Sequence, residues 1–383
     1  MDLTERIERR RTRRNRNELI VDRDSLNPAV HPPEPVGREA LFGALLNAID
    51  PLFDRAIPPN TYVWGPSGAG KSAIVTALLS ALDAEIGGME PFYTATRGGG
   101  DHPEVRFVYL DARRARSRFQ LYRELLDGLQ VESVPERGVS TETLRERIDA
   151  VASKSEAVLV AVDHLGEPTT VDLADLHAFF EPFGTLAWIG VGRTPPGDLS
   201  FPMPERQIHV PAYTHELVDV LTVRGSRGLS HTLDHGHARR IAEWAGGDAH
   251  DAVAALFVAA ATAQADGATR VRDADVDAGI AAIPTDGVPI GRVLTLSRNE
   301  RQVVEQLLAL SLDDEVRIED AATRIAGRTD LTDATVKRLL YELAQFGVLE
   351  RREVTVGTRI TGRKPSGVAL NFSPELFTAL TGG

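Results

Sequence analysis

Gly65-Pro66-Ser67-Gly68-Ala69-Gly70-Lys71-Ser72 reads G-x-x-x-x-G-K-S, and its surroundings are those of a phosphate-cradling P-loop. The apolar run Thr61-Tyr62-Val63-Trp64 precedes it and reads as a buried strand. Ala73, Ile74, Val75, Leu78 and Leu79 then open a helix. Glycines let the backbone fold its N–H groups around phosphate oxygens at a helix N-terminus. Lys71 supplies a point charge for the β and γ groups, and the Ser72 hydroxyl is suited to Mg²⁺. Gly65, Pro66, Ser67, Gly68, Ala69, Gly70, Lys71 and Ser72 are therefore the predicted nucleotide contacts. A glycine-rich turn without a ligand leaves the strand-loop-helix context unexplained.

Further strands follow. Val105 to Asp111 is one, and Ala157-Val158-Leu159-Val160-Ala161-Val162-Asp163 is a near-continuous apolar run ending in a carboxylate. Leu186 to Val191 is of the same type. Such runs mark strands buried on both faces, as in parallel sheets. With predicted helices at 121–129 and 144–151 between them, they imply a right-handed βαβ core.

Asp163, at the end of its strand, is the candidate to hold Mg²⁺ together with Ser72; a helix cap is the bland alternative. A P-loop hydrolase also needs a group to orient the attacking water, normally a glutamate directly after that aspartate. Here the residue is His164, which brings no negative charge, and Glu167 is expected to point elsewhere. No catalytic base is assigned, and hydrolysis is expected to be weak or absent.

Beyond Pro211 strands give way to predicted helices at 216–223, 237–245 and 248–263, a small helical domain. Residues 292–372 then show three helices, 299–310, 318–325 and 332–345, followed by a hairpin from 348–356 and 368–372. Three helices and a hairpin make a winged-helix pattern. This segment holds 13 Lys/Arg and 12 Asp/Glu, so it is near neutral in a chain of net charge −12. Its third helix turns Val336, Leu339, Leu340 and Leu343 inward and leaves Thr335, Lys337, Arg338 and Tyr341 outward. Arg351, Arg352, Arg359, Arg363 and Lys364 gather on the hairpin and its tip. A helix for the major groove with a basic wing on flanking phosphates fits this arrangement. Thr335, Lys337, Arg338, Arg351, Arg352, Arg359, Arg363 and Lys364 are thus the predicted DNA contacts, against a protein-binding winged helix with a solvated hairpin.

The 383 residues contain no cysteine, which excludes disulfides and thiolate metal sites. No apolar run reaches the roughly 20 residues of a membrane span, and the N-terminus lacks a secretory h-region, so a cytoplasmic protein with no membrane partner is expected. Four lysines against 39 arginines suit a GC-rich genome. Residues 1–16 carry seven arginines against three acidic groups, read either as a solvated tail or as a nucleic-acid contact.

In this order the parts resemble the archaeal Orc/Cdc-type replication initiators, AAA+ ATPases with a C-terminal winged helix. Beyond the P-loop, the resemblance rests on Leu26-Asn27-Pro28 leading to Gly37-Arg38-Glu39, and on Val108 to Ala112 followed by Arg113 to Phe119. Val134-Pro135 with Gly138-Val139-Ser140, Val210 to Thr214 with Glu216-Leu217, and Gly247-Asp248-Ala249 continue it. It implies four segments: a basic arm (1–17), an AAA+ base (18–212), a helical lid (213–289) and a winged helix (290–383). It also implies ATP or ADP with Mg²⁺ between base and lid, with Tyr213 among the nucleotide contacts. Double-stranded origin DNA is the implied partner, read by the wing and by an insertion within about Arg113 to Asp149. Loading of the replicative helicase and self-association on DNA go with it. Three departures stand out: His164 replaces the family's glutamate, Gly192-Arg193-Thr194 replaces a sensor asparagine, and His250 replaces the second-sensor arginine. A P-loop regulator of transcription or signalling is the competing assignment.

Overall fold

A computed structural model describes residues 18–54, 56–86, 105–129, 138–155, 157–200, 202–285, 287–310, 317–353 and 366–381. The chain falls into two compact units, His31–Glu216 and a second formed by Leu217–Gly383 with the segment ending at Val30.

In the first unit the elements run α1 (Glu39–Ile49), β1 (Thr61–Trp64), α2 (Lys71–Glu85), β2 (Val105–Asp111), α3 (Arg118–Gly128), α4 (Thr141–Ala152), β3 (Ala157–Leu165), α5 (Leu173–Phe180), β4 (Leu186–Gly192) and β5 (Arg206–His209). All five strands are parallel in the order β2-β3-β4-β1-β5. The predicted doubly covered sheet is thus the observed one. Alternation along β3 shows how the apolar run works: Val158, Val160 and Val162 enter one core with Leu121, Leu144, Phe179 and Trp188. Ala157, Leu159 and Ala161 enter the other, with Leu45, Ile74, Val75 and Leu78. Both β1 and β3 thereby deliver their C-terminal ends to the same rim, where the P-loop follows β1.

β5 has no counterpart in the sequence reading. It is an edge strand, Arg206-Gln207-Ile208-His209, and only Ile208 is buried, so it carries almost no apolar signature. Its pairing with β1 is continued by Val210 N–H donating to the Trp64 carbonyl at 2.8 Å. At the paired ends of the two strands the Trp64 and His209 rings lie 4.2 Å apart.

The second unit begins with a strap. Leu19, Ile20 and Leu26 are buried, Ile20 is bridged to Leu229, and Arg224 donates to the carbonyls of Ser25 and Val30 at 3.0 and 2.7 Å. Residues 18–30, placed with the base from sequence, pack here because these three apolar side chains are covered by the lid helices. Those helices are α6 (Glu216–Gly228), α7 (His235–Ala245), α8 (Ala249–Ala265) and α9 (Asp273–Ala282).

The winged helix follows as α10 (Arg298–Leu310), α11 (Ile318–Ala326), α12 (Asp333–Gln345), β6 (Leu349–Glu353), β7 (Ser366–Leu370) and a closing α13 (Pro374–Thr381). β6 and β7 pair antiparallel from Leu349↔Leu370 to Glu353↔Ser366. Thr332 caps α12 by accepting from the Thr335 N–H at 3.3 Å, and Val336, Leu339, Leu340 and Leu343 are buried as the spacing predicts. Among the described residues no helix is long and apolar enough to cross a membrane.

Candidate nucleotide site and nucleic-acid surface

The P-loop owes its shape to glycine. Gly65 has φ 154° and a Cβ there would stand 2.0 Å from the Val210 carbonyl oxygen. Gly70, the N-cap of α2, has φ 85°, and a Cβ there would meet the Tyr213 hydroxyl at 2.8 Å. The orphan N–H groups of the first turn of α2 are thus presented by a loop that no other residue type could close. Lys71 is buried, and its Nζ donates to the carbonyls of Gly65 and Pro66 at 2.8 and 2.6 Å.

Asp163 lies beside this loop at 2 % exposure. It accepts from the Tyr109 hydroxyl at 2.7 Å, from the His164 N–H at 2.7 Å and from the Ser72 hydroxyl. Burial pushes its carboxyl up, but the His164 charge and these donors outweigh burial and hold it at about 2. Tyr109 is pushed well above its ordinary value by burial and by Asp163. A hydroxyl and an ionised carboxylate in contact are the hard oxygen pair that Mg²⁺ takes, so Ser72 and Asp163 fit the metal that a P-loop implies.

Glu167 does not point elsewhere. His164 sits in the left-handed region at φ 64°, at an irregularity in the β3–β4 register, and the turn after it brings Glu167 back. Glu167 lies 3.1 Å from His164 Nδ1 and accepts from Arg193 Nη2 at 3.0 Å. Burial raises Glu167, yet the hydrogen bond and charge of His164, with Arg193 and Arg113, lower it to about 2. Burial opposes the His164 imidazolium, and Asp163 and Glu167 outweigh that and raise its pKa. Two departures from the family pattern, at 164 and 193, are therefore joined by one carboxylate. Sequence spacing gave no sign of this, because Arg193 comes from just past the next strand, β4.

Arg38 and Tyr213 complete the rim. Arg38 is 5 % exposed, and its Nη2 donates to the carbonyl of Ala69 at 2.8 Å and to that of Pro211 at 2.9 Å. Its guanidinium lies 3.6 Å from the centre of the Tyr213 ring. The predicted nucleotide contact Tyr213 is thus placed against Gly70, buried under Arg38. Arg38 itself, quoted only as part of a helix opening, carries no signal of this role in the sequence. His250, at the start of α8, has Nδ1 3.2 Å from the Asp251 carboxylate.

On the winged helix the predicted DNA contacts are paired. Lys337 donates to Glu319 at 2.8 Å, Arg338 to Glu342 at 2.5 Å and Arg352 to Glu350 at 3.1 Å. Arg351 lies over the Tyr341 ring at 5.5 Å, and the Thr335 hydroxyl meets that of Thr332 at 2.9 Å. Arg359, Arg363 and Lys364, the arm at 1–17 and the stretch Val134-Pro135 lie outside the described residues.

The AAA ATPase domain family matches residues 34–185. A curated relative, the ORC1-type DNA replication protein 1 of Halobacterium salinarum, is 26% identical over 266 residues, covering 66% of this chain and 79% of the relative. The ORC1-type DNA replication protein 1 of Sulfurisphaera tokodaii is 23% identical over 93% of this chain and 92% of its own. Among solved structures, the Aeropyrum pernix ORC1 protein in complex with DNA aligns with a TM-score of 0.62 and 20% identity, covering 95% of this chain and 97% of that one. Cdc6p from Pyrobaculum aerophilum aligns with a TM-score of 0.56 and 18% identity over 95% and 98%. These structures share the fold described above.

Proposed function

Because this chain belongs to the archaeal Orc/Cdc-type replication-initiator family of AAA+ ATPases, as a divergent member, we propose that it is a slowly hydrolysing, nucleotide-bound initiator that recognises origin-like DNA. The observation that carries this reading is the contrast at the rim: Lys71, Ser72 and Asp163 are assembled, while the position after Asp163 holds His164 bound to Glu167. Binding groups are kept and the hydrolytic carboxylate is not.

The P-loop N–H groups and Lys71 would receive the β and γ phosphates of ATP or ADP, with Lys71 exchanging its carbonyl partners for phosphate oxygens. Ser72 and Asp163 would hold Mg²⁺, which supplies charge neutralisation across the phosphates. Tyr109, donating to Asp163, fixes the carboxylate's orientation from behind. No group at 164 bears the negative charge that a water-orienting glutamate has, so turnover is slow.

Double-stranded DNA is the proposed partner of the winged helix, consistent with the DNA-bound state of the A. pernix ORC1 relative. Thr335, Lys337 and Arg338 on α12 would face the major groove, with Arg351 and Arg352, and by sequence Arg359, Arg363 and Lys364, on flanking phosphates. Helicase loading and self-association on DNA extend the same reading. Measuring co-purified nucleotide and turnover with and without candidate origin DNA tests it. Turnover typical of an initiator with an Asp-Glu pair would remove the slow-hydrolysis part. Chromatin pull-down confined to promoters would instead support a transcription regulator.

A further inference from the structure

Arg38 is a buried cation whose hydrogen bonds go to main chain. One nitrogen, Nη2, bridges the Ala69 carbonyl in the P-loop and the Pro211 carbonyl just past β5. The flat guanidinium lies 3.6 Å from the Tyr213 ring centre, and Tyr213 in turn abuts Gly70. Arg38 Nε is buried without a hydrogen-bond partner. Burying a charge in this way is costly, and it is retained where geometry demands it. The same downstream segment touches the other end of the loop, since the Val210 carbonyl occupies the space a Cβ on Gly65 would need. Both ends of the P-loop therefore rest on Val210–Tyr213, and at the Ala69–Gly70 end the contact is made by Arg38 and its stacked tyrosine. That segment leads directly into α6, which begins at Glu216.

We propose that Arg38 is a positioning residue of the nucleotide site, holding Val210–Tyr213 against the P-loop so that a nucleoside di- or triphosphate and this segment are set together. The inference rests on the nucleotide-binding reading for its ligand but on Arg38's own contacts for its mechanism. It requires the flat guanidinium face that lies on the Tyr213 ring while one of its nitrogens bridges the two carbonyls, a face that an ammonium lacks. Charge alone is insufficient.

The test uses the full chain, with ADP and ATP titrated by calorimetry and amide hydrogen exchange measured without nucleotide. Arg38→Lys, Arg38→Gln, Tyr213→Phe, Tyr213→Leu and the Arg38→Lys/Tyr213→Leu pair are compared, each checked for folding by circular dichroism. Arg38→Lys should bind nucleotide roughly ten- to a hundredfold more weakly, as badly as Arg38→Gln, because the stack on Tyr213 is lost and with it the placement that lets one nitrogen reach both carbonyls. Exchange should rise at residues 67–70 and at Val210, Ala212 and Tyr213 together and stay unchanged in β3 and β4. Tyr213→Phe, which keeps the ring under Arg38, should bind nucleotide more tightly than Tyr213→Leu; Tyr213→Leu should resemble Arg38→Lys, and the pair should be no worse than either. Wild-type affinity and unchanged exchange in Arg38→Lys would overturn the proposal, as would additive losses in the pair. If the wild type binds no nucleotide, the functional reading fails while the exchange comparison still decides the role of Arg38.

Discussion

Cations in the base and in the winged helix are handled in opposite ways. Arg38 and Lys71 are buried and aimed at main-chain carbonyls, so their positions are fixed by the fold itself. Lys337, Arg338 and Arg352 are exposed and pair with carboxylates from the same surface. Exposed pairs of this kind contribute little to stability and exchange partners readily. The base thus holds its cations in one geometry, whereas those of the winged helix are loosely held, as the proposed DNA partner would require.

The largest effect that would sharpen this contrast is at Lys71. Lys71→Ala should weaken ADP binding by about a hundredfold, roughly 3 kcal/mol, while leaving DNA affinity within about threefold. Calorimetry and fluorescence anisotropy on the same preparation check both halves, and a parallel loss of DNA binding would break the separation.

Acid stability is the next largest. Asp163 and Glu167 have folded pKa values lowered to about 2 from 3.8 and 4.5. Their joint contribution, on the order of a few kcal/mol because both lean on His164, is complete above pH 4.5 and is lost as pH falls toward 2. Denaturant midpoints should fall over that window in wild type, and Glu167→Gln should flatten the slope. An identical slope in the variant would show that Glu167 titrates as an ordinary surface group.

Restoring a glutamate at 164 is a subtler matter than sequence suggests. Glu167 reaches position 164, so His164→Glu alone would set two carboxylates together near Asp163. The pair His164→Glu/Glu167→Gln should turn over ATP about tenfold faster than wild type, about 1.4 kcal/mol in the barrier, and faster than His164→Glu. A phosphate-release assay with Mg²⁺ measures it, and no gain in either variant would place the block elsewhere.

The winged helix should show the smallest changes. Neutralising Lys337 or Arg338 should weaken DNA binding a few-fold and reduce the salt slope by about one. Glu319→Gln should act the other way, raising affinity up to about threefold by releasing Lys337. Anisotropy at two salt concentrations distinguishes them.

Legibility followed locality. The P-loop, β3, β4 and the winged helix could be read because a single segment contains its own signal: glycine spacing, apolar runs, helical periodicity. β5 could not, since an edge strand with one buried residue has no pattern to show. Glu167 was misread because a left-handed backbone at a non-glycine residue, His164, leaves no mark in the composition, and because Arg193 reaches Glu167 from 26 residues away. Arg38 and Tyr109 escaped for the same reason: their partners, Ala69, Pro211 and Asp163, come from other parts of the chain.

The tilted contact of the Trp64 and His209 rings has a practical corollary. Trp64 immediately precedes Gly65, and the imidazole 4.2 Å away belongs to the strand that runs into the Arg38 contact. Trp188 is sealed in the core and Trp244 is partly exposed on α7, so the three indoles occupy distinct optical environments. Movement of the loop against β5 would change imidazole quenching of one emitter alone. The protein thus carries an intrinsic fluorophore one residue from the P-loop, without any label attached.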